Sequence, residues 1–463
     1  MTKTQIHQSV NYSMQARGMS QQRRRSAAAA ALLALAVLLG TSPPDAAAQQ
    51  GPAWRPLVAR VNKDAATSLY TIAIKDGGGP LLLDLAGPML WVANCPCTHW
   101  AIGCGGSHCD GFRNMFTPDA CDSAEWPAQG QDTCICTALP YNPVDGRCVA
   151  AQATTISIAA NTTDGKNPLS PVTFPVVGSC APGDFLASLP EGVAGVAGLA
   201  RLRNSLPLQV AQWYSLKQEF ALCLPRGGDG VAVFGGGPFQ LLAAPTVELA
   251  DSLRKKPLPF LFNPKNRAYY FTITGIAVNQ QRVPTPPGAF DLERRGQGGA
   301  AFSTVTPYTA LRWDVYWPLR NAFDAATSGI ARADKVAPFD MCYQASELAM
   351  TSVGYAVASI DLMLDGGQNW TLPGASSLVQ VNDRTVCFAF VQTDSSVPAH
   401  AESPAVILGG HQLENNLLMF DRTRTRSRSV GCCSASALPA ATSTSASGVL
   451  RSSSVTDLAS RAS

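Results

Sequence analysis

Cysteines place the strongest constraint on how this chain of 463 residues can fold. Eight of the 14 cysteines fall between positions 95 and 148, in a glycine- and proline-rich stretch with little apolar periodicity. Such a stretch needs covalent cross-links, each contributing about 2–4 kcal/mol mainly by restricting the unfolded chain. We therefore predict an oxidising compartment and up to seven disulfides, drawn from Cys95, Cys97, Cys104, Cys109, Cys121, Cys134, Cys136, Cys148, Cys180, Cys223, Cys342, Cys387, Cys432 and Cys433.

Zinc binding is the alternative use of these cysteines. Two close cysteine pairs begin at Cys95 and Cys134, and His99 and His108 lie near them in the sequence. The spacings match no common zinc template, and a secreted chain favours disulfides. We predict no bound metal and no cofactor.

The first 48 residues have the three regions of a secretory signal peptide. Arginines at 23–25 precede an apolar run over residues 27–40, and alanines at 46–48 supply a small-residue cleavage site. The run is shorter than the ~20 apolar residues that a spanning helix needs. We expect cleavage after Ala48, secretion to the apoplast or cell wall, and no membrane attachment afterwards.

Removal of that leader reverses the sign of the net charge. Lys plus Arg falls from 35 to 30 and Asp plus Glu from 32 to 31, so the formal charge changes from +3 to −1. A balanced charge argues against nucleic-acid binding, which depends on dense positive charge. Sequons at Asn161 and Asn369, both in polar, turn-rich contexts, are candidate glycosylation sites of a secreted surface.

Short apolar segments separated by Gly, Pro, Asn and Asp predict an all-β protein with few helices. Two helices are expected, one over residues 206–220 with Ser205 as N-cap and one over residues 314–326. The predicted strands cover residues 70–74, 81–85, 90–92, 155–159, 172–177, 232–235, 269–278, 359–364 and 386–391.

A repeated pattern indicates two similar lobes. A strand and small-residue turn at 83–87 precede an apolar, glycine-containing segment at 193–198, and the same pair recurs at 301–305 and 405–410. Beyond position 433 the chain is rich in Ser, Ala and Thr, which is typical of disorder. The predicted divisions are a signal peptide at 1–48, an N-terminal lobe with the cysteine-rich insertion at 49–240, a C-terminal lobe at 241–433 and a disordered tail at 434–463.

Eight segments carry a resemblance to a known family, in the family's order. They lie at residues 82–91, 140–144, 160–165, 189–200, 234–238, 303–309, 337–343 and 405–410. In these segments the chain resembles the pepsin-like aspartic proteases of plants. Within them it is most similar to the non-proteolytic branch of cereal endoxylanase inhibitors and legume basic globulins. The resemblance implies a bilobal pepsin-like fold, all-β with a few short helices.

Aspartic proteolysis requires two carboxylates about 3 Å apart that share one proton. By the resemblance, Asp84 begins the first catalytic turn and Ser303 begins the second, where a hydroxyl replaces the carboxyl group. Leu85 lacks the hydroxyl that cross-braces the two turns in active relatives, and Val305 adds bulk where glycine belongs. We predict that Asp84 and Ser303 are vestigial and that the chain is not a peptidase.

Two other acids could revive the peptidase interpretation. A carboxyl group of Asp291 or Asp314 within about 4 Å of Asp84 would restore a dyad. Active relatives carry a tyrosine on the hairpin that covers the substrate, and the matching stretch, residues 156–164, contains none. No catalytic triad is indicated by the histidines, which fall in loop-like contexts at His99, His108, His400 and His411.

The resemblance implies a monomer that inhibits a microbial endoxylanase in plant defence, through loops of its second lobe. The family's C-terminal histidine, which reaches the enzyme's catalytic carboxylates, is absent, and His411 lies too early in the chain to replace it. A non-inhibitory cell-wall or storage globulin and an endopeptidase with a degenerate site are the alternatives. The candidate inhibitory loop contains Leu348, Met350, Ser352 and Val353.

Arginines alternate with Ser and Thr at positions 422, 424, 426 and 428. In a strand all four guanidinium groups would project from one face. That face is either a stripe for acidic cell-wall polysaccharide or, as we favour, a solvated edge strand whose like charges discourage further pairing.

Overall fold

The computed structural model describes residues 55–95, 101–113, 115, 121, 134–241, 247–249, 253, 258–261, 263, 266, 268–294, 296–393, 404–422 and the strand at 426–431. Among the described residues, the N-terminal half contains two α-helices, α1 (Ser107–Arg113) and α2 (Leu206–Trp213). Its strands are β1 (Leu57–Lys63), β2 (Tyr70–Ala73), β3 (Leu81–Asp84), β4 (Leu90–Ala93), β5 (Thr137–Ala138), β6 (Ala151–Thr163), β7 (Pro168–Ala181), β8 (Gly195–Gly198), β9 (Glu219–Cys223), β10 (Asp229–Phe234), β11 (Gln240–Leu241) and β12 (Val247–Glu248).

The C-terminal half is also dominated by short strands, with α3 (Trp313–Ala326), α4 (Gly374–Ser377) and α5 (Gly410–Leu413) between them. Its strands are β13 (Leu258–Leu261), β14 (Tyr270–Phe271), β15 (Ile273–Val278), β16 (Gln281–Arg282), β17 (Ala300–Phe302), β18 (Thr309–Leu311), β19 (Arg332–Ala333), β20 (Cys342–Gln344), β21 (Met350–Thr351), β22 (Gly354–Tyr355), β23 (Ile360–Leu364), β24 (Asn369–Leu372), β25 (Leu378–Asn382), β26 (Thr385–Phe388), β27 (Phe390–Gln392), β28 (Val406–Leu408), β29 (Asn416–Asp421) and β30 (Arg426–Gly431).

The two halves repeat one strand arrangement. In the first, β3 runs parallel to β8, while β4 pairs antiparallel with β8 and parallel with β7. In the second, β17 runs parallel to β28, while β18 pairs antiparallel with β28 and parallel with β27. The duplication predicted from the sequence is therefore confirmed, and it places the turns after β3 and β17 in equivalent positions.

A continuous sheet joins the halves, because β9 pairs with β10 on one side and with β29 on the other. Aromatic side chains fill the core at this junction. Phe220 stacks on Phe420 with ring centroids 4.7 Å apart, and Tyr269 packs against both rings. All three are buried, so they contribute apolar burial to both halves at once.

The helix predicted at 206–220 is shorter than expected. It ends at Trp213, and Ser215 then adopts the left-handed region at φ 51°. Phe220 belongs to β9, where ring stacking overrides the helical spacing of the preceding apolar residues. Ser205 is the N-cap residue, but its hydroxyl donates to the Leu202 carbonyl oxygen instead of capping the helix. The second predicted helix is confirmed as α3.

The predicted solvated edge strand of arginines is wrong, because β30 pairs with β29 on one side and with β13 on the other. Arg422 follows β29, and its guanidinium donates to the Ser205 hydroxyl at 2.8 Å and to the Leu202 carbonyl oxygen at 3.3 Å. These bonds direct the side chain inward instead of along a solvated strand face. The side chains at 424, 426 and 428 lie outside the described residues.

Disulfides cross-link the cysteine-rich region, as the sequence predicted. The pairs are Cys95–Cys180, Cys104–Cys134, Cys109–Cys136, Cys121–Cys148 and, in the other half, Cys342–Cys387. Cys223 is also disulfide-bonded. The remaining cysteines, Cys97, Cys432 and Cys433, lie outside the described residues.

Both sequons lie at strand ends that border turns. Asn161 is in β6 and Asn369 in β24, and both side chains are exposed. Across the described residues, none of the helices is both long and apolar enough to traverse a membrane.

Candidate functional site

Two equivalent turns face each other between the halves. Asp84 ends β3 and begins the first turn, and Ser303 follows β17 and begins the second. Both residues are buried, at 3% and 8% exposure. The site that the sequence predicted is therefore assembled, although only one of its two leading residues can carry a negative charge.

Thr304 links the two turns. Its hydroxyl donates to the Leu83 carbonyl oxygen at 2.6 Å and accepts the Leu85 amide N–H at 3.1 Å. The sequence predicted that replacing a hydroxyl by Leu85 would remove the cross-brace. Only one of two equivalent braces is lost, because the second turn still supplies its own hydroxyl.

Asp84 is held within its own turn. One carboxylate oxygen accepts the Ala86 amide N–H at 2.9 Å. Burial raises the pKa of the Asp84 carboxyl to about 6, and hydrogen bonds from the amides of Ala86 and Gly87 offset part of that rise. Among the described residues no second carboxylate contributes to this shift.

Ser303 makes only local hydrogen bonds. Its hydroxyl donates to the Thr306 hydroxyl at 2.9 Å and accepts the amide N–H groups of Val305 and Thr306. No histidine or lysine contacts it within the described residues, so nothing there would activate it as a nucleophile. Val305 packs against an apolar cluster of the N-terminal half that contains Leu82 and Trp91, which fills space beside the second turn.

A tyrosine lies close to Asp84, but outside the stretch 156–164 where the resemblance places it in active relatives. Tyr141 and Cys148 form a bridge that closes a short hairpin, and the Tyr141 carbonyl oxygen accepts the Trp91 indole N–H at 3.0 Å. Burial raises the pKa of the Tyr141 phenol, and the negative charge of Asp84 raises it further. The expected stretch, 156–164, belongs instead to the long β6–β7 hairpin.

The Tyr141 hairpin could have been found from its turn residues. Asn142 is fully buried and accepts the Val144 amide N–H, and Gly146 has φ 75°. An Asn-Pro pair followed by Asp-Gly is a strong turn signal. The strands on either side are too short to show any alternation, so apolar periodicity gave no indication of them.

The two other acids that could have completed a dyad with Asp84 have different surroundings. Asp314 forms an ion pair with Arg312 at 2.7 Å, next to the start of α3. Asp291 lines an open depression together with Phe290. Neither contributes to the pKa shift of Asp84.

The candidate inhibitory residues form a small hairpin made by β21 and β22. Met350 and Val353 are 68% and 50% exposed, and Ser352 is exposed at the turn. Leu348 is 7% exposed and packs into the main core, so its inclusion as a contact residue is wrong. We name the exposed segment 350–353 the hairpin tip.

His411 lies in α5 and not in a loop, which corrects the sequence-based description, and His108 lies in α1. The other two candidates, His99 and His400, lie outside the described residues. The His411 ring is buried, with Nε2 3.1 Å from the Leu378 carbonyl oxygen. Burial lowers the pKa of His411 to about 4, so the ring is neutral at pH 7.

Glu414 is the centre of a buried polar cluster beside His411. Its carboxylate accepts hydrogen bonds from Lys63 at 2.6 Å, from the Tyr70 hydroxyl at 2.8 Å and from Arg226 at 3.1 Å. Burial and the Glu414 charge raise the pKa of the Tyr70 phenol far above its ordinary range. Two cations compensate the charge of this carboxylate. Because its three partners belong to the first half and Glu414 to the second, the cluster links the halves.

A duplicated β-rich fold whose paired turns meet at its centre is the architecture of the pepsin-like class. Two family models match the chain, the xylanase inhibitor N-terminal family over residues 70–236 and the xylanase inhibitor C-terminal family over residues 268–427. The chain therefore belongs to the xylanase-inhibitor family of pepsin-like proteins.

Relatives and solved structures agree with this assignment. The chain is 44% identical to "Chitinase CLP" of Oryza sativa subsp. japonica over 383 residues, covering 80% of this chain and 87% of that protein. It is 32% identical to "Gamma conglutin 1" of Prunus dulcis, covering 80% and 85% of the two chains. The crystal structure of edgp matches with a TM-score of 0.74 at 30% identity, covering 82% and 96%. Soybean basic 7S globulin matches with a TM-score of 0.66 at 25% identity, covering 82% and 95%.

Proposed function

We propose that this protein is a secreted, catalytically inactive pepsin-like protein that binds and inhibits microbial endoxylanases. The observation that carries the proposal is the exposed hairpin tip on a fold whose central turns supply one carboxylate instead of two. Membership in the xylanase-inhibitor family supports the choice of partner. The disulfides support an oxidising, extracellular compartment such as the apoplast or cell wall.

The absence of proteolysis follows from Ser303. We place it where active relatives have the second catalytic aspartate, and a hydroxyl near neutral pH cannot share a proton with Asp84. The Ser303 hydroxyl bonds only within its own turn, to Thr306 and Val305, so it does not form a pair with Asp84 that could activate a water molecule. The neighbouring bulk of Val305 supports the same conclusion, because it occupies space beside the turn.

We assign binding to the hairpin tip because apolar side chains there are exposed to solvent. Met350 is the most exposed large apolar side chain described, and Val353 is exposed beside it. A few residues near the centre of an interface commonly carry most of the binding energy, and the hairpin tip offers a compact cluster of this kind. The monomeric state, glycosylation at Asn161 and Asn369 and the lobe division at 240/241 belong to the same proposal.

Chitin hydrolysis is a second candidate, favoured by the relative named "Chitinase CLP". Glycoside hydrolysis ordinarily uses two carboxyl groups about 5–9.5 Å apart. Asp84 is the one carboxylate that the central turns contribute, and no other described carboxylate affects its pKa. We therefore rank inhibition above hydrolysis. A storage globulin, suggested by the conglutin and basic 7S globulin relatives, is the third candidate.

The test is a titration of the purified mature protein against fungal and bacterial xylanases, with casein and chitin-oligosaccharide hydrolysis measured alongside. We expect saturable loss of xylanase activity and no hydrolysis of either substrate. A double substitution of the tip, M350S with V353S, should weaken inhibition by roughly tenfold or more. The matched control is L169S, which removes an exposed apolar side chain (38% exposed) from β7.

Each result decides between candidates. Inhibition unaffected by the tip substitutions would remove the hairpin from the mechanism. Full xylanase activity at every ratio, without any hydrolysis, would favour the storage globulin. Pepstatin-sensitive casein cleavage would overturn the assignment of Ser303, and chitin-oligosaccharide cleavage would favour the second candidate.

A further inference from the structure

Two tryptophans on α3 are exposed one helical turn apart. Trp313 is 60% and Trp317 is 44% exposed, and Asn321, one turn further along, is also exposed. Residues four apart in an α-helix lie on one face, about 6 Å apart along the axis. We name these three residues the tryptophan face. Large exposed aromatic side chains at adjacent positions mark a binding surface.

The tryptophan face is rigid because the opposite face of α3 is core. Val315, Leu319 and Phe323 are fully buried, and Tyr316 is 1% exposed. The Tyr316 ring also meets the Trp317 ring edge-on at 5.4 Å between centroids, which restricts the Trp317 side chain. A ligand therefore meets preorganised rings and incurs little loss of side-chain entropy on binding.

An open groove lies beside Arg312, the residue that directly precedes the first tryptophan. Two depressions of about 740 and 510 Å³ share Thr272, Phe290 and Asp291, so they are continuous. The Arg312 guanidinium donates to the carbonyl oxygen of Ala289, which lines the second depression, at 3.1 Å. The lining residues of the two depressions belong to elements other than α3, so Arg312, which directly precedes Trp313, is the contact between the groove and the start of the helix.

The charges of the groove are balanced. Its lining includes two acids, Asp291 and Glu293, and two arginines, Arg282 and Arg294. A balanced set of charged donors and acceptors favours a neutral ligand that hydrogen-bonds, because neither a polyanion nor a polycation gains net Coulomb energy. Asn321 adds an amide, which both donates and accepts.

We propose that the tryptophan face and the adjoining groove bind a neutral β-1,4-linked polysaccharide chain. The flat face of such a pyranose chain presents C–H bonds with partial positive charge, which pack on the negative faces of indole rings. Its hydroxyl groups suit the mixed donors and acceptors of the groove. This site shares no residue with the central turns or the hairpin tip, so its binding can be tested separately from xylanase inhibition.

Binding is measured with the full mature chain. The probes are xylohexaose, cellohexaose and chitohexaose by calorimetry, with affinity electrophoresis in the matching soluble polymers. We expect saturable binding of at least one probe and at least a tenfold loss of affinity in the double variant W313A with W317A. The matched control is W213A, because Trp213 is 55% exposed at the end of α2. It should bind within twofold of the wild-type protein.

Two further measurements keep the test decisive. The double variant W313Y with W317Y should retain affinity within about threefold, and all variants are compared by Tm to exclude unfolding. Xylanase inhibition should be unchanged in W313A with W317A. Absence of saturable binding to all three probes, or tighter binding of polygalacturonate, would overturn the proposal. Loss of xylanase inhibition with sugar binding intact would show a protein-docking face instead.

Discussion

A single threonine hydroxyl determines how the two turns are joined. Thr304 is fully buried and bonds to both Leu83 and Leu85 across the junction. T304V leaves a buried carbonyl oxygen and a buried amide N–H without this partner, so we expect a loss of about 2–4 kcal/mol in the free energy of unfolding. Urea denaturation measures it.

The matched control is T306V in the same turn. The Thr306 hydroxyl accepts one hydrogen bond from Ser303 and makes no described bond across the junction. A T304V variant no less stable than T306V would show that the remaining brace contributes nothing.

At the central turns, the sequence predicted the chemistry of the side chains better than it predicted where neighbouring side chains lie. The types at 84, 303 and 305 were enough to predict an incomplete dyad, because the chemistry depends on which side chains are present. Tyr141 was missed because its proximity to Asp84 depends on a short hairpin. That hairpin is held by the turn at Asn142 and by one bridge between Tyr141 and Cys148. Leu348 was predicted to be a contact residue but is buried, because its exposure depends on how the start of the hairpin packs on the core.

At the scale of elements, close glycine contacts let the hairpin that carries the tip pack against α4. Gly354 has φ 97°, and a Cβ there would lie 2.3 Å from the Ala375 backbone nitrogen in α4. G354A combines left-handed strain with a clash against the backbone, so we expect it to displace the hairpin and destabilise the protein. Thermal unfolding and limited proteolysis at 350–355 measure the effect.

The control for that substitution is G366A. Gly366 has φ 78°, but its Cβ would meet nothing within 4 Å, so it carries strain alone, about 1–2 kcal/mol. Equal losses in the two variants would show that the close approach to α4 does not hold the hairpin.

Elements with a repeated pattern were the most predictable. The glycine-rich segments at 193–198 and 405–410 identified the duplication because small residues are needed where strands cross closely. Gly198 illustrates this need, since a Cβ there would lie 2.3 Å from the Met89 carbonyl oxygen. The end of α2 was not predictable, because the stacking of Phe220 on Phe420 is a contact with the far end of the chain. Cysteine counts predicted disulfides, but pairing depends on the folded backbone.

For the whole molecule, two buried groups oppose each other in their response to pH. Burial raises the pKa of Asp84 to about 6, so the folded state binds the extra proton and stability falls as pH rises from about 4 to 6. Burial lowers the pKa of His411 to about 4, so the unfolded state binds the extra proton and stability rises from about pH 4 to 6.5. Each effect amounts to about 3 kcal/mol, so the two largely cancel.

Single substitutions should separate the two effects. Relative to the wild-type protein, D84N should gain about 3 kcal/mol of stability between pH 4 and 6, and H411Q should lose about 3 kcal/mol between pH 4 and 6.5. Urea denaturation across this range measures both. The control is D365N, which removes a carboxyl group at an exposed turn position. Parallel curves for all variants would contradict the assignment.

The pairing of β9 with β29 has a consequence for synthesis of the protein on the ribosome. Arg422 beside β29 bonds to Ser205, 217 residues earlier in the chain. At ordinary translation rates about 10 to 40 s separate the emergence of these partners. Throughout that interval the edge of β9 that β29 will cover has no partner strand, and it is open to pairing with a neighbouring chain. The time during which this edge is exposed is therefore set by the position of one late strand in the chain.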